Sequence, residues 1–234
     1  MLRRARSVAS LVVLTTFLWA LVPGTRTLAR EIPLMVQTVP KLPGIRFSVN
    51  GHIFTSDKHG LAFTGVSNPE TYQLEVLQPS NSPPETRLRF ATWSDGNRSV
   101  VRSVTVNSFT FLEAGFVVTR EASVTLLDDR GQRIDPLRIE SLTLTDDSGE
   151  VYTLPQGESR WIPVVRTLEV GESLEEEDVR YSIGEAIVDG NDVSSQLPDA
   201  LDPLDQKEWE FSVKLPSSER SEGGELNLDL SSGS

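Results

Sequence analysis

The sequence contains no cysteine and only two histidines, His52 and His59. Without cysteine the chain has no disulfide bond, no thiolate metal site, no thiol nucleophile and no lipidated N-terminal cysteine. Catalysis by a serine nucleophile needs a neighbouring base, and the sequence has no Gly-x-Ser-x-Gly elbow to present such a serine. Phosphate-binding loops and dinucleotide fingerprints are also missing. The sequence therefore predicts no catalytic constellation and no cofactor.

Basic residues are scarce as well. The 234 residues include 22 Lys and Arg against 34 Asp and Glu, which gives a formal net charge of −12. Nucleic acids and anionic membranes bind clustered Lys and Arg, so this balance argues against both as partners. The hydrophobic fraction of 38% is enough for a sizeable core in one or two domains.

The N-terminus carries an uncharged stretch rich in Leu and Val, residues 9–22, behind Arg3, Arg4 and Arg6. A positive start, an apolar stretch and small residues at Thr27 and Ala29 predict a signal peptide over residues 1–29. Cleavage after Gly24 and an uncleaved anchor are the alternatives. A membrane span needs about 20 apolar residues, so this stretch is short for an anchor. Removal of residues 1–29 leaves 18 Lys and Arg against 34 acids, a charge of −16, which suits the envelope or the medium.

The rest of the chain is dominated by short alternating patterns. Residues 30–43 contain three prolines and are predicted to form an extended linker. From residue 44 onward, two-residue periodicity with frequent turns predicts about 13 strands and an all-β fold. Asn50-Gly51 predicts a type I′ hairpin, and a parity change before Trp93 predicts a bulge.

Two further local patterns concern the second half. Apolar parity switches again at Glu140-Ser141, which indicates either a bulge or two strands. The only helical signal is the capping-box spacing of residues 173–176, which predicts a single helical turn.

The length of the strand-rich region indicates its organisation. Because a β-sandwich takes about 100 residues, we expect two Ig-like or prealbumin-like β-sandwich modules, at residues 44–119 and 120–215. The tail, residues 216–234, is rich in Ser, Gly and Glu and is predicted to be disordered. Within it, Leu226, Leu228 and Leu230 alternate with polar residues and could pair weakly as a strand.

Two segments of the first module match recurrent patterns. Residues 43–76 contain Pro43-Gly44-Ile45-x-Phe47-x-Val49-x-Gly51, Thr55-x-Asp57-x-x-Gly60-Leu61-Ala62 and Pro69-Glu70-x-Tyr72-x-Leu74-x-Val76. This segment resembles the carboxypeptidase regulatory-like, prealbumin-type β-sandwich, with Glu70 where that family usually has Gly. Residues 90–116 resemble a β-module of secreted bacterial surface proteins through Phe90-x-x-Trp93-Ser94-Asp95-Gly96, Arg102-x-Val104-x-Val106 and Leu112-x-Ala114-Gly115-Phe116. The resemblances imply an accessory structural or binding role, and the second half resembles no named family.

The polar side chains offer only weak candidates for chemistry. His52 and His59 could meet across a hairpin and bind a metal, but a solvated surface position is the commoner outcome for such residues. Asp128-Asp129 and Asp146-Asp147 lie in predicted turns, where carboxylates cap backbone groups. Calcium could bind oxygen atoms of the turns at residues 146–150 and 189–192, although neither has EF-hand spacing. Residues 175–178 are predicted to form a solvated acidic face, because closely spaced like charges repel.

Aromatic and arginine side chains are predicted to be structural. Trp93, Trp161 and Trp209 fall in predicted strands, and Trp161 is the least certain to be buried because Pro155 and Pro163 bracket it. Arg102 is expected to lay its stem along the sheet against Trp93. Asn97-Arg98-Ser99 has the pattern of a glycosylation acceptor.

Together these patterns predict a secreted, non-enzymatic cell-envelope protein that acts as a binding or structural β-module. Its expected partner is an envelope protein or polysaccharide, with membrane contact only through an uncleaved N-terminal segment. The alternative is a small extracellular hydrolase, or a subunit of one, that uses paired carboxylates.

Overall fold

The computed structural model describes residues 31–77, 85–155 and 158–216, in which the regular elements are β-strands and two short 3-10 turns. The predicted all-β class is confirmed. The described residues contain no helix with the length and hydropathy of a membrane span. The strands are β1 (Ile32–Val39), β2 (Arg46–Val49), β3 (His52–Thr55), β4 (Leu61–Val66), β5 (Glu70–Leu77), β6 (Thr86–Trp93), β7 (Val101–Val106), β8 (Thr110–Leu127), β9 (Ile139–Asp146), β10 (Val151–Thr153), β11 (Arg160–Val170), β12 (Ser173–Asp178), β13 (Tyr181–Val188), β14 (Asn191–Asp192) and β15 (Glu208–Ser212).

The strands form three sheets. In the largest, β12, β11, β8, β1 and β4 follow one another, while β6 and β15 also pair with β8. The two smaller sheets have the orders β3-β2-β5-β7 and β10-β9-β13-β14. β8 runs antiparallel to β6 and β11 and parallel to β1 and β15, so it has four strand partners.

The buried side chains form two clusters that meet along β8. Alternate residues of this strand point inward, as in any half-buried strand. Ala114 and Phe116 belong to the first cluster, and Val124 and Leu126 belong to the second. The first cluster lies between the large sheet and the sheet β3-β2-β5-β7; the second lies between the large sheet and β10-β9-β13-β14. The expected boundary at residues 119 and 120 falls inside one continuous strand.

Local turn and bulge predictions are confirmed. Val49 pairs with His52 around Asn50 and Gly51, whose φ angles are 45° and 87°. Positive φ at both positions is what a type I′ turn requires. The register against β8 shifts between Phe90 and Thr92, and the register of β13 against β9 skips Glu140, so both parity changes are bulges.

The predicted linker at residues 30–43 is wrong for most of its length. Residues 32–39 form β1, which pairs with β4 and β8 and buries Leu34 and Val36 completely. Pro33 lies near the beginning of β1 and Pro40 lies just beyond its end, where a missing N–H disturbs the hydrogen-bond ladder least. The prediction relied on the number of prolines and missed the alternation of buried and partly exposed residues along β1.

The predicted helical turn at residues 173–176 is also wrong. These residues begin β12, which pairs antiparallel with β11. Leu174 points inward, and a Cβ placed on Gly115 would lie 3.2 Å from its Cδ1 atom. A capping box stabilises a helix only when a helical stripe follows it. Here tertiary packing against β8 favours the strand.

The signal peptide predicted for residues 1–29 lies outside the described residues, as does the tail beyond Pro216 with its alternating leucines.

Candidate binding surface

Three hairpin turns of the chain share one Asp-x-x-Gly arrangement, which begins at Asp57, Asp128 and Asp146. In each turn the Gly has a positive φ, of 77°, 74° and 88° respectively, and its N–H donates to the Asp carbonyl. The Oδ1 atom of each Asp accepts the N–H groups two and four residues later at 2.8–3.0 Å. The carboxylates that were candidates for chemistry therefore stabilise turns.

In the other candidate calcium turn, residues 189–192, the carboxylates also accept hydrogen bonds from the chain itself. Asp189 accepts two hydrogen bonds from Arg138, whose Nε and Nη2 atoms lie 3.0 and 2.5 Å from Oδ2. The Arg138 guanidinium lowers the pKa of the Asp189 carboxyl below its ordinary value. Asp192 accepts the N–H of Ser194 at 2.9 Å. The described residues hold no group of three His, Asp or Glu side chains suited to a metal ion.

The two histidines lie at opposite ends of β3. His52 is its first residue and His59 follows in the Asp57 turn, and both side chains are exposed. Both histidines therefore occupy exposed surface positions, the commoner outcome for such residues.

A charge cluster that sequence reasoning did not find surrounds Arg166 on β11. Its Nη2 atom lies 2.7 Å from Asp147 Oδ1 and its Nε atom lies 2.6 Å from Glu177 Oε2, while Nη1 is 3.4 Å from the nearly buried Asp146. Glu177 belongs to the run predicted as a solvated face. The guanidinium thus joins the β9–β10 turn to β12, and only the register of β11 with β12 could have revealed the pairing.

A polar cleft lies beside β8, next to the beginnings of β6 and β15. It encloses about 400 Å³ and is lined by Glu85, Arg120, Glu121, Leu204, Asp205 and Lys207. Lys207 Nζ lies 3.3 Å from Glu85 Oε1, and Ser159 donates a short hydrogen bond to Glu121. Two of its three carboxylates therefore already have partners in the chain.

The tryptophans have two kinds of environment. Trp93 and Trp209 are buried, one in each cluster, and Trp93 Nε1 donates to the Ser99 carbonyl at 2.9 Å. Trp161 is partly exposed, and the Arg87 guanidinium stacks on its ring at 3.9 Å.

Arg102 lies as expected, with its guanidinium 5.4 Å from the centre of the Trp93 ring. Two hydrogen bonds of 2.8 and 2.5 Å join it to Asp95, and they lower the pKa of the Asp95 carboxyl.

The hairpin formed by β11 and β12 crosses the outer face of the large sheet and makes hydrogen bonds to β1 and β8. The Thr167 hydroxyl lies 2.7 Å from the Val39 carbonyl and accepts the Phe116 N–H at 3.0 Å. The Leu174 N–H donates to Glu113 at 2.7 Å. The hairpin covers Gly115, where a Cβ would meet Thr167 at 2.9 Å.

The same outer face remains exposed on the other side of Glu113. Phe63 of β4, Met35 of β1 and Phe111 of β8 are direct neighbours across the three strands, and we call them the aromatic row. Phe63 is 59% exposed and Phe111 is 46% exposed; Phe109, two residues before Phe111, is 57% exposed. A contiguous exposed apolar patch marks an interaction surface more often than isolated apolar residues do. Sequence reasoning missed the row because β1 was taken for a linker.

Comparisons with known proteins give no family assignment. No protein-family model matches the chain, and no curated protein matches it. The resemblance of residues 43–76 to the carboxypeptidase regulatory-like sandwich therefore remains a prediction.

Some solved structures are similar at low levels. The TIE protein of Bacillus anthracis has a TM-score of 0.30 and 15% identity over 79% of this chain and 33% of its own. The Streptococcal ancillary pilin has a TM-score of 0.29 and 10% identity over 82% of this chain and 64% of its own. The shaft pilin SpaA from Lactobacillus rhamnosus GG has a TM-score of 0.28 and 10% identity over 80% of this chain and 99% of its own. This chain thus spans a third of the first protein and less than two thirds of the second.

Proposed function

We propose that the chain is an exported, non-enzymatic protein of the cell envelope that binds a partner or contributes to an assembly through its β-sandwich surface. The N-terminal pattern of residues 1–29 supports export. Asp57, Asp128 and Asp146 accept hydrogen bonds from backbone N–H groups of their turns. These contacts support a structural rather than a catalytic role for the acidic turns.

The observation that carries this proposal is the aromatic row. Phenylalanine and methionine are enriched in protein interfaces relative to the remaining surface. Among the residues that flank the row on this face, the register aligns Pro33 with Gly65 and Gln37 with Leu61 and Glu113, so Glu113 is the charged residue among these neighbours. The expected partner is an envelope protein or an envelope polysaccharide, which would contact this face.

Binding is tested with a double variant and a matched control. Phe63→Ser with Phe111→Ser removes the exposed rings, whereas Val151→Ser removes an equally exposed apolar side chain from β10, where Val151 is 57% exposed. Immobilised wall polysaccharide and solubilised envelope proteins serve as separate binding targets. We expect the double variant to lose binding at least tenfold and the control to retain it. Equal binding by all three proteins would contradict the proposal.

Export has its own measurement. The chain is expressed in a bacterial host, the cells are fractionated, and the exported protein is subjected to N-terminal sequencing. We expect it outside the cytoplasm, with Arg30 as its first residue after cleavage following Ala29. Recovery of the intact chain from the cytoplasm would contradict the proposed location.

One observation favours the alternative of an extracellular hydrolase. The polar cleft brings Glu85, Glu121 and Asp205 together, and paired carboxylates are the machinery of glycoside hydrolysis. Glycan and peptide panels assayed with the native chain and with Glu121→Gln decide the matter. Turnover that disappears in the variant would establish the hydrolase in place of a binding protein.

A further inference from the structure

We propose that the aromatic row receives residues 225–230 of a second copy of this chain, so that copies join head to tail. This proposal rests on the proposed function as a binding module and names the partner. The segment would lie extended over the outer face, with Leu226, Leu228 and Leu230 against Phe63, Met35 and Phe111.

The fold already covers part of this face with an extended element. The β11–β12 hairpin lies beside Glu113 and over Gly115, with Leu174 inward and Leu168 outward. Of the hairpin side chains Thr167, Glu169 and Leu174, which face the sheet, Leu174 is the apolar one, so an extended hairpin fits this surface. The uncovered remainder, with Phe63, Met35 and Phe111, is more apolar and lacks such a cover among the described residues.

The size of the exposed patch favours binding of one extended chain segment over a face-to-face dimer. Three strands of about four residues each give roughly 14 Å by 14 Å, or about 200 Å². A stable face-to-face dimer buries about 800 Å² on each partner. The patch is too small for that, but its width suits one extended segment of about six residues.

The tail has the required pattern. Leu226, Leu228 and Leu230 alternate with Asn227 and Asp229, so an extended backbone places all three leucines on one side. The first and last leucine are about 13 Å apart in such a strand, and the row spans about 10 Å across its three strands. The polar residues then face solvent.

The tail is too short to reach the row of its own chain. Val213 donates to the Leu127 carbonyl at 2.8 Å, so Pro216 lies within about 10 Å of the end of β8. Leu127 follows Phe111 by 16 positions of one strand, which is about 50 Å. Ten extended residues from Pro216 to Leu226 span at most about 35 Å. The donor is therefore another copy, and a head-to-tail contact of this kind repeats.

Charge gives the contact a characteristic salt dependence. The chain has a net negative charge, although residues 31–120 hold eight Lys and Arg against seven acids, and residues 217–234 contain four acids and one arginine. Repulsion between copies is screened as salt rises, and apolar contacts persist or strengthen. We expect self-association to increase with sodium chloride concentration.

The test is sedimentation velocity of the full exported chain over a range of concentrations. Leu228→Asp places a charge on the apolar side of the tail, and Asn227→Asp adds the same charge on the opposite side as the matched control. The native chain and the control are expected to form dimers and longer oligomers. Leu228→Asp lowers the association constant at least about tenfold, since the burial of one leucine is worth that factor or more.

A mixing experiment tests the polarity of the contact. Phe63→Ser with Phe111→Ser keeps a donor tail, and Leu228→Asp keeps an intact receiving face. At a concentration where the native chain is largely associated, each variant alone is expected to be mainly monomeric, and their mixture is expected to stop at one-to-one dimers.

Three outcomes would overturn the proposal: a native chain that is monomeric at every concentration and salt, an unchanged oligomer in Leu228→Asp, or a mixture that stays monomeric. Binding to envelope polysaccharide by a strictly monomeric chain would overturn this inference and leave the proposed function standing. Loss of export and of all binding would contradict the proposed function itself.

Discussion

At the scale of single residues, several acidic side chains act as hydrogen-bond acceptors for the backbone of the turns that contain them. Asp57, Asp128 and Asp146 each accept two N–H groups of a hairpin turn through one oxygen. The side chain mimics a turn of backbone and holds the chain where it leaves the turn. This use explains how an acid-rich sequence forms tight hairpins.

The most buried of these carboxylates should matter most for stability. Asp146→Asn keeps an acceptor for Ser148 and Glu150 but replaces the charge that faces Arg166. Arg166 keeps Asp147 and Glu177 as closer partners, so the loss of its 3.4 Å contact with Asp146 is expected to lower the free energy of unfolding by about 1 kcal/mol. Urea denaturation at neutral pH measures this loss. Asp57→Asn is the matched control, because it changes the same turn position at an exposed site, and a loss there as large as at Asp146 would contradict the argument.

The same carboxylate gives the stability a defined pH dependence. Burial raises the pKa of Asp146, but hydrogen bonds from Ser148 and Glu150 and the Arg166 charge outweigh burial, so its folded-state pKa is below the ordinary value. Its contribution is therefore complete above the unfolded pKa of about 3.9 and is lost as the pH falls through the folded value. We expect the difference in unfolding free energy between the native chain and Asp146→Asn to shrink below about pH 4. A difference that stays constant on acidification would refute this assignment.

At the scale of elements, the β11–β12 hairpin joins the second half of the chain to the first. The Thr167 hydroxyl serves Val39 of β1 and Phe116 of β8. A single polar group therefore satisfies backbone groups on two strands at the point where β11 leaves the sheet.

Thr167→Val tests this junction with almost no change in side-chain shape. The variant leaves the Phe116 N–H and the Val39 carbonyl without that hydroxyl, and we expect a loss of about 2 kcal/mol in unfolding free energy. Thr153→Val is the control, because Thr153 is exposed on β10. Thermal and urea denaturation of both variants supply the measurement. A loss no larger than that of the control would show that the hydroxyl is dispensable.

The elements also mark the limit of what the sequence predicts. The Asn50-Gly51 hairpin, the bulge before Trp93 and the stacking of Arg102 on Trp93 were accessible, because each depends on residues close in sequence or on strand parity. β12 was not, because its conformation depends on packing between Leu174 and Gly115, which are 59 positions apart. The aromatic row required the pairing of β1 with both β4 and β8, and no local pattern specifies that pairing.

At the scale of the whole molecule, β8 determines how the two buried clusters behave together. Its inward side chains enter the first cluster at Ala114 and Phe116 and the second at Ala122, Val124 and Leu126. Two modules joined by a flexible linker unfold independently. When two clusters share a central strand, unfolding of either cluster removes packing contacts from the other. We therefore propose that the two predicted modules unfold as one cooperative unit.

Tryptophan reporters in the two clusters can test this coupling. Trp93 lies in the first cluster and Trp209 in the second, so Trp19→Phe and Trp161→Phe combined with either Trp93→Phe or Trp209→Phe leave one tryptophan reporter at a time. Leu144→Ala opens a cavity in the second cluster only and should cost about 2–5 kcal/mol. If β8 couples the clusters, the urea midpoint reported by Trp93 falls as far as the midpoint reported by Trp209. A Trp93 midpoint that stays in place while the Trp209 midpoint falls would mean that β8 can separate from one cluster without releasing the other.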